Sequence, residues 1–135
     1  MVEESLRRGV VLFNQADFFD AHEVFEDLWR SVPRSLPASQ HIQGMVQLAV
    51  AFHHQSHGNM IGAGSVLERA IRNLHGAEGS LPELEFDPLF SELKLWQEYL
   101  SDSQIASERR NSKQNSALRK IDKQPPALPQ IKWRT

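Results

Sequence analysis

Residues 44–52, GMVQLAVAF, hold a single polar side chain, Gln47, in nine positions. Wound into a helix, they are apolar on almost every side, and such a helix belongs at the centre of a bundle. It is expected to start near Ala38, after the two prolines and three serines of SVPRSLPAS (31–39), and to end at Gly58. The low-charge run 42–52 is about half of the ~20 residues needed to cross a bilayer, which suits a buried core helix.

The flanking segments carry the partners of that helix. Leu6, Val10 and Phe13, with Val11 and Leu12 beside them, recur every three to four positions and predict a first helix over 3–15. Asp17 is placed to cap a second helix over 18–31, with Asp20 imitating the acid of a capping box and Pro33 stopping the helix. So short a link makes the two an antiparallel hairpin. On the other side Asn59 can cap a fourth helix, with Ala63, Val66, Leu67, Ala70, Ile71 and Leu74 in helical rhythm. Gly62 and Gly64 are expected at its start or at a close helix crossing.

Residues 76–88 read as a loop closed by Asp87 and Pro88, leading into a fifth helix over 89–100 that buries Leu89, Phe90, Leu93, Trp96 and Leu100. QPPALPQIKWRT (124–135) holds three prolines and reads as extended, with Ile131 and Trp133 available to pin it to the body. No strand pattern is visible. The expected fold is all-α, a compact bundle of about five helices over 1–102 with a basic, proline-containing extension over 103–135.

Composition agrees with one globular core. The chain has 135 residues, 40% hydrophobic and 24% charged. It has no cysteine, which excludes disulfides, thiolate metal sites and cysteine nucleophiles. Residues 1–102 hold 7 Lys/Arg against 15 Asp/Glu, a net of −8, while 103–135 hold 8 against 2, a net of +6. The basic tail is expected to fold back on the acidic body. It has no nucleic-acid recognition motif and no interleaved aromatics, so a nucleic-acid partner is not expected. The opening MVEESLRRGVVLF is acidic with only a short apolar run, unlike a secretory signal, and the expected location is the cytoplasm, with no membrane partner.

The stretches LFNQADFFDAHEVFEDLWR (12–30), QGMVQLAVAFHH (43–54) and HGNMIGA (57–63) together resemble the DUF309 family of small helical proteins of unknown function. The family pattern corresponds here to Phe13 and Asn14; Ala21, His22, Glu23, Glu26 and Trp29; Gln43, Gly44, Gln47 and Ala49; and Gly58, Asn59, Gly62 and Ala63. The resemblance covers about residues 5–100. Ala16 stands where many members carry glycine, and Phe25 where leucine is usual. A compact helical array with a shared polar constellation is what the resemblance implies; it implies no activity. The chain is also similar to a tetratricopeptide-like hairpin, of which only one unit is visible.

Placed at 100° per residue, the second helix presents Val24, Leu28, Ala21, Phe25, Phe18 and Trp29 as one apolar arc. His22 and Glu26 flank that arc, and Glu23, Asp27 and Asp20 lie on the far, solvated side. On the third helix Gln43, Gln47 and His54 form a narrow polar strip. The two edges are expected to face each other across a polar groove, with Asn14 and Arg30 contributing. As a metal site, His22, Glu26 and His54 would supply two histidines and a carboxylate, the set for a divalent cation. HEVFE lacks the second histidine of H-E-x-x-H, so a zinc-protease reading fails. Without metal, His22 and Glu26 are the candidate general acid and base. Against these stands a plainer reading in which His22, Glu26, Gln43 and Gln47 form a satisfied network that sets helix register. His53, His54 and His57 read as helix-end residues suited to the negative end of the dipole, and Trp29 and Trp96 as core anchors.

The expected function is binding of a small molecule or protein at the polar groove. A hydrolase centred on His22 and Glu26, and a tetratricopeptide-like interaction module, are the alternatives. A homo-oligomer stays open, since the glycines could mark a helix crossing within one chain or between two.

Overall fold

The computed structural model describes the backbone of residues 2–110 and 124–135, and the side chains of residues 3–102 and 124–135. Five helices follow in order: α1 (Val2–Asn14), α2 (Phe18–Ser31), α3 (Pro37–Ser56), α4 (Met60–Leu74) and α5 (Asp87–Arg110). Among the described residues the fold is all-α apart from one 3-10 turn (Ala77–Gly79) and two short strands, β1 (Leu84–Glu85) and β2 (Lys132–Trp133). No described helix is long and apolar enough to cross a membrane.

The apolar helix α3 takes the central place. Ile42, Met45, Leu48, Ala49, Ala51 and Phe52 are all buried, and α3 packs on α2 along one side and on α4 along another. At Gly44 a β-carbon would lie 2.8 Å from Leu74 Cγ and 3.1 Å from the Leu74 backbone nitrogen, so the missing side chain is what lets α3 and α4 approach. At the other end of α3, Phe52 meets Phe13 and Trp96 edge-on, with ring centroids 6.1 and 5.2 Å apart, joining α1 and α5 to the same core.

Two chain reversals are built alike. After α1, the Ala16 amide donates to Phe13 O and the Asp17 amide to Leu12 O, each at 2.9 Å; after α3, the Gly58 amide donates to Gln55 O at 3.1 Å and the Asn59 amide to His54 O at 2.9 Å. Both are Schellman endings, which require a left-handed residue in the middle, and Ala16 (φ 64) and Gly58 (φ 80) supply it. Only one helical hairpin is visible in the sequence; the structure has two in succession, α1–α2 and α3–α4, with equivalent turns.

The caps of the following helices differ. Asn59 Oδ1 accepts the Gly62 amide at 2.9 Å. Asp17 stands in the equivalent place but makes no side-chain cap bond, contrary to expectation. A β-carbon at Gly62 would crowd the Asn59 amide, and Asp20, the counterpart of Gly62, carries both that β-carbon and a second negative charge.

Two further expectations change. α5 runs to Arg110 rather than Leu100, so the boundary drawn at residue 102 falls inside a helix; helix-forming residues such as Gln104, Ala106, Glu108 and Arg109 sustain it where the apolar rhythm has stopped. Strands are present, with Leu84 opposite Trp133 and Glu85 opposite Lys132 in an antiparallel pair. Only two residues long, they leave no alternation to read. The basic stretch 111–123 lies outside the described residues, but 124–135 does return to the body, with Ile131 buried.

The left-handed alanine sets up a direct test. Replacing it by glycine relieves about 1–2 kcal/mol of αL strain and returns about 0.4–1 kcal/mol of unfolded-chain entropy, so Ala16→Gly is expected to stabilise the fold slightly. Gly44→Ala has the opposite outcome, a loss of about 2 kcal/mol from overpacking against Leu74. Urea unfolding followed by circular dichroism measures both.

Candidate functional site

Along α2, His22, Glu26 and Arg30 lie one turn apart and form a ladder. His22 Nε2 and Glu26 Oε2 are 3.2 Å apart, Arg30 Nη2 pairs closely with Glu26 Oε1, and Arg30 Nη1 donates to Asp27 at 3.2 Å. The carboxylate of Glu26 is thus shared by an imidazole and a guanidinium. Side-chain exposure is 25% for His22 and 32% for Glu26, so the ladder is a half-open edge of the bundle. Glu23, Asp27 and Asp20 face solvent.

The groove partners expected on α3 lie elsewhere. Gln47 Oε1 accepts from Asn73 Nδ2 on α4 at 2.7 Å, and Gln43 is exposed. His54 Nδ1 is 3.4 Å from Asn59 Nδ2, at the turn into α4. The two glutamines share a stripe, but α4 packs on the Gln47 side of α3 and α2 does not. His22, Glu26 and His54 accordingly form no metal-binding group: among the described residues no three His, Cys, Asp or Glu side chains are arranged to hold an ion. Asn14 also has another role. Its amide donates from Nδ2 to Ile131 O at 2.9 Å, and its Oδ1 accepts the Ile131 amide at 2.8 Å.

What stands next to His22 is aromatic. Phe19 is 52% exposed, and its ring lies 5.8 Å from His22 and 5.6 Å from His53 of α3. His53 in turn lies against His57, with the rings tilted at 47° and centroids 4.3 Å apart, and His57 Nδ1 donates to the His53 carbonyl at 2.9 Å. An open depression of about 320 Å³ lies beside them, lined by Asp17, Phe19, Asp20, His53, Ser56 and His57 among others. At the other end of α2 the Arg34 guanidinium sits 3.6 Å from the Trp29 ring centroid and donates to the Trp29 and Val32 carbonyls. The buried Trp29 Nε1 has no hydrogen-bond partner among the described residues.

Two groups escaped the sequence reading. His41 is buried, donates from Nε2 to the His75 carbonyl at 3.2 Å, and takes the Ser80 hydroxyl at 2.7 Å on Nδ1, fixing the loop after α4. Its spacing of four and seven from Met45 and Leu48 places it on the core stripe, a signal that was available. Phe19 lies outside the apolar arc of α2, and nothing in one-dimensional spacing tells such a residue from any other exposed phenylalanine.

Desolvation, followed by the neighbouring His57, His54 and His22 imidazoles, lowers the His53 pKa below its ordinary 6.5. The unfolded chain therefore binds a proton more readily than the folded one, and stability falls as pH drops through about 6.5. His53→Gln is expected to flatten the decline of the melting temperature between about pH 7.5 and pH 5; an unchanged slope would show that other groups carry the decline.

Comparison with known proteins bears on the same segment. The family model described as "Domain of unknown function (DUF309)" matches residues 6–66. That span takes in most of α1, all of α2 and α3 and the start of α4, with the ladder, Asn14 and both Schellman turns, and is shorter than the 5–100 of the sequence resemblance. The uncharacterized protein YpuF of Bacillus subtilis (strain 168) is 31% identical over 71 residues, 53% of this chain. The chain spans only 40% of that relative's length. The match to the DUF309 model thus rests on residues 6–66, a little under half of the chain.

Proposed function

We propose that this chain is an interaction module of the cytoplasm that docks a protein partner along the α2–α3 edge, with Phe19 as anchor and the His22–Glu26–Arg30 ladder as polar rim. The observation that carries this reading is the half-exposed Phe19 ring flanked by the imidazoles of His22 and His53. A lone exposed aromatic on a surface means little. One held between ring systems from two helices is already ordered, so little side-chain freedom remains to be lost on binding, and an aromatic anchor beside a polar rim is the usual anatomy of a binding hot spot. A small molecule is a poorer fit, because ligand pockets bury most of their ligand's surface and the depression here is open.

A hydrolase using His22 and Glu26 has one observation in its favour, their hydrogen bond. Arg30 engages the remaining carboxylate oxygen, so both oxygens of Glu26 already have a partner within the helix.

A photo-crosslinking residue placed at position 19 tests the docking reading, with exposed position 95 as control. The expected result is one defined protein adduct at 19, absent at 95 and lost on adding Glu26→Lys. Equal labelling at both positions, or labelling indifferent to Glu26, would contradict it.

A further inference from the structure

The segment 124–135 is held chiefly through its main chain, by groups that lie far from it in sequence. Trp96 Nε1 donates to Ala127 O at 3.0 Å, and Glu92 Oε2 accepts the Gln130 amide at 3.1 Å. Asn14 bonds both the amide and the carbonyl of Ile131. β2 then pairs with β1, and the Arg134 amide donates to Glu83 O at 2.7 Å. Side chains add a second kind of contact: Pro129 and Ile131 are buried and Trp133 is half-buried with the Arg7 guanidinium 5.6 Å from its ring centroid, whereas Leu128, Lys132 and Arg134 face outward.

These features are those of a receptor for an extended peptide. Backbone groups are read by fixed donors and acceptors and by strand addition, and alternate side chains enter pockets. The bidentate use of Asn14 matters most, because a side-chain amide that bonds both the N–H and the C=O of one residue recognises extended main chain whatever its side chain. The matched family region, 6–66, contains Asn14 but not the segment that Asn14 holds. Charge agrees as well: Glu83, Glu85 and Glu92 line the path of a segment carrying Lys132 and Arg134.

We propose that residues 124–135 are an intramolecular ligand occupying a peptide groove formed by the end of α1, β1 and α5. When they leave, the groove takes an extended, basic peptide of another protein with the pattern proline, any residue, aliphatic, any residue, aromatic. The tethered segment competes at an effective concentration on the order of millimolar, so it blocks the groove until it is displaced or weakened. A two-residue ladder is a marginal structure by itself, which makes release a local event rather than unfolding of the bundle.

The test uses the full chain and a fluorescein-labelled peptide of sequence QPPALPQIKWRT, read by fluorescence anisotropy. Ile131→Asp, which unseats the chain's own segment, is expected to bind the peptide at least tenfold more tightly than wild type. Adding Asn14→Ala is expected to abolish the gain, and a scrambled peptide is expected not to bind. Binding by Ile131→Asp no tighter than by wild type, or an unfolded Ile131→Asp chain, overturns the proposal. An independent reading comes from hydrogen exchange of the wild-type chain: the Ile131 and Arg134 amides are expected to exchange at least a hundredfold faster than those of Met45 and Leu48, and equal protection overturns the proposal too.

Discussion

The burial of α3 is the constraint from which the remaining architecture follows. A helix apolar on nearly all sides can be covered only if a helix lies against each of its flanks, and short links allow its sequence neighbours α2 and α4 to do this. Each of those helices then has one face left to cover, which falls to α1 on one side and to α5 on the other. Phe52, near the α3 C-terminus, is where the two halves meet, since its ring touches both Phe13 and Trp96. The close crossing at Gly44 and the left-handed turns at Ala16 and Gly58 are the local devices that let this layering close.

Much of that layering is legible in one dimension, because the helical period and the turn residues are local signals. The α2 boundaries match the expectation from Asp17 and Pro33, and the capping role of Asn59 follows from its residue type alone. The site is less legible. Wheel geometry separates the half-open edge of His22 and Glu26 from the solvated Glu23 and Asp27, yet it cannot say which neighbour a polar strip faces. Gln47 looks toward α4 because α3 is covered on both flanks, a tertiary fact with no counterpart in spacing. The same holds for Asn14, whose partner Ile131 lies 117 positions away.

The polar residues shared with the DUF309 pattern do different jobs. Gln47 and Asn59 are structural, one tying α3 to α4 and the other capping α4. Asn14 grips extended main chain. His22, Glu26 and the neighbouring Arg30 pair among themselves on a half-open edge, each bond lying within one helix. Such pairs contribute little to stability, about 0.2–0.5 kcal/mol each, so the fold has small need of them. That small structural return leaves the α2 edge free for the recognition role proposed for it, which the exposed Phe19 ring between His22 and His53 carries.

The measurement that tests this assignment most directly is urea unfolding of the chain with His22→Ala, Glu26→Ala and Arg30→Ala combined. A recognition edge with no structural duty predicts a loss below about 1 kcal/mol with an unchanged denaturant slope. A loss of about 3 kcal/mol or more is what breaking a buried charged network produces, and it would contradict the account by making the ladder part of what holds the bundle together.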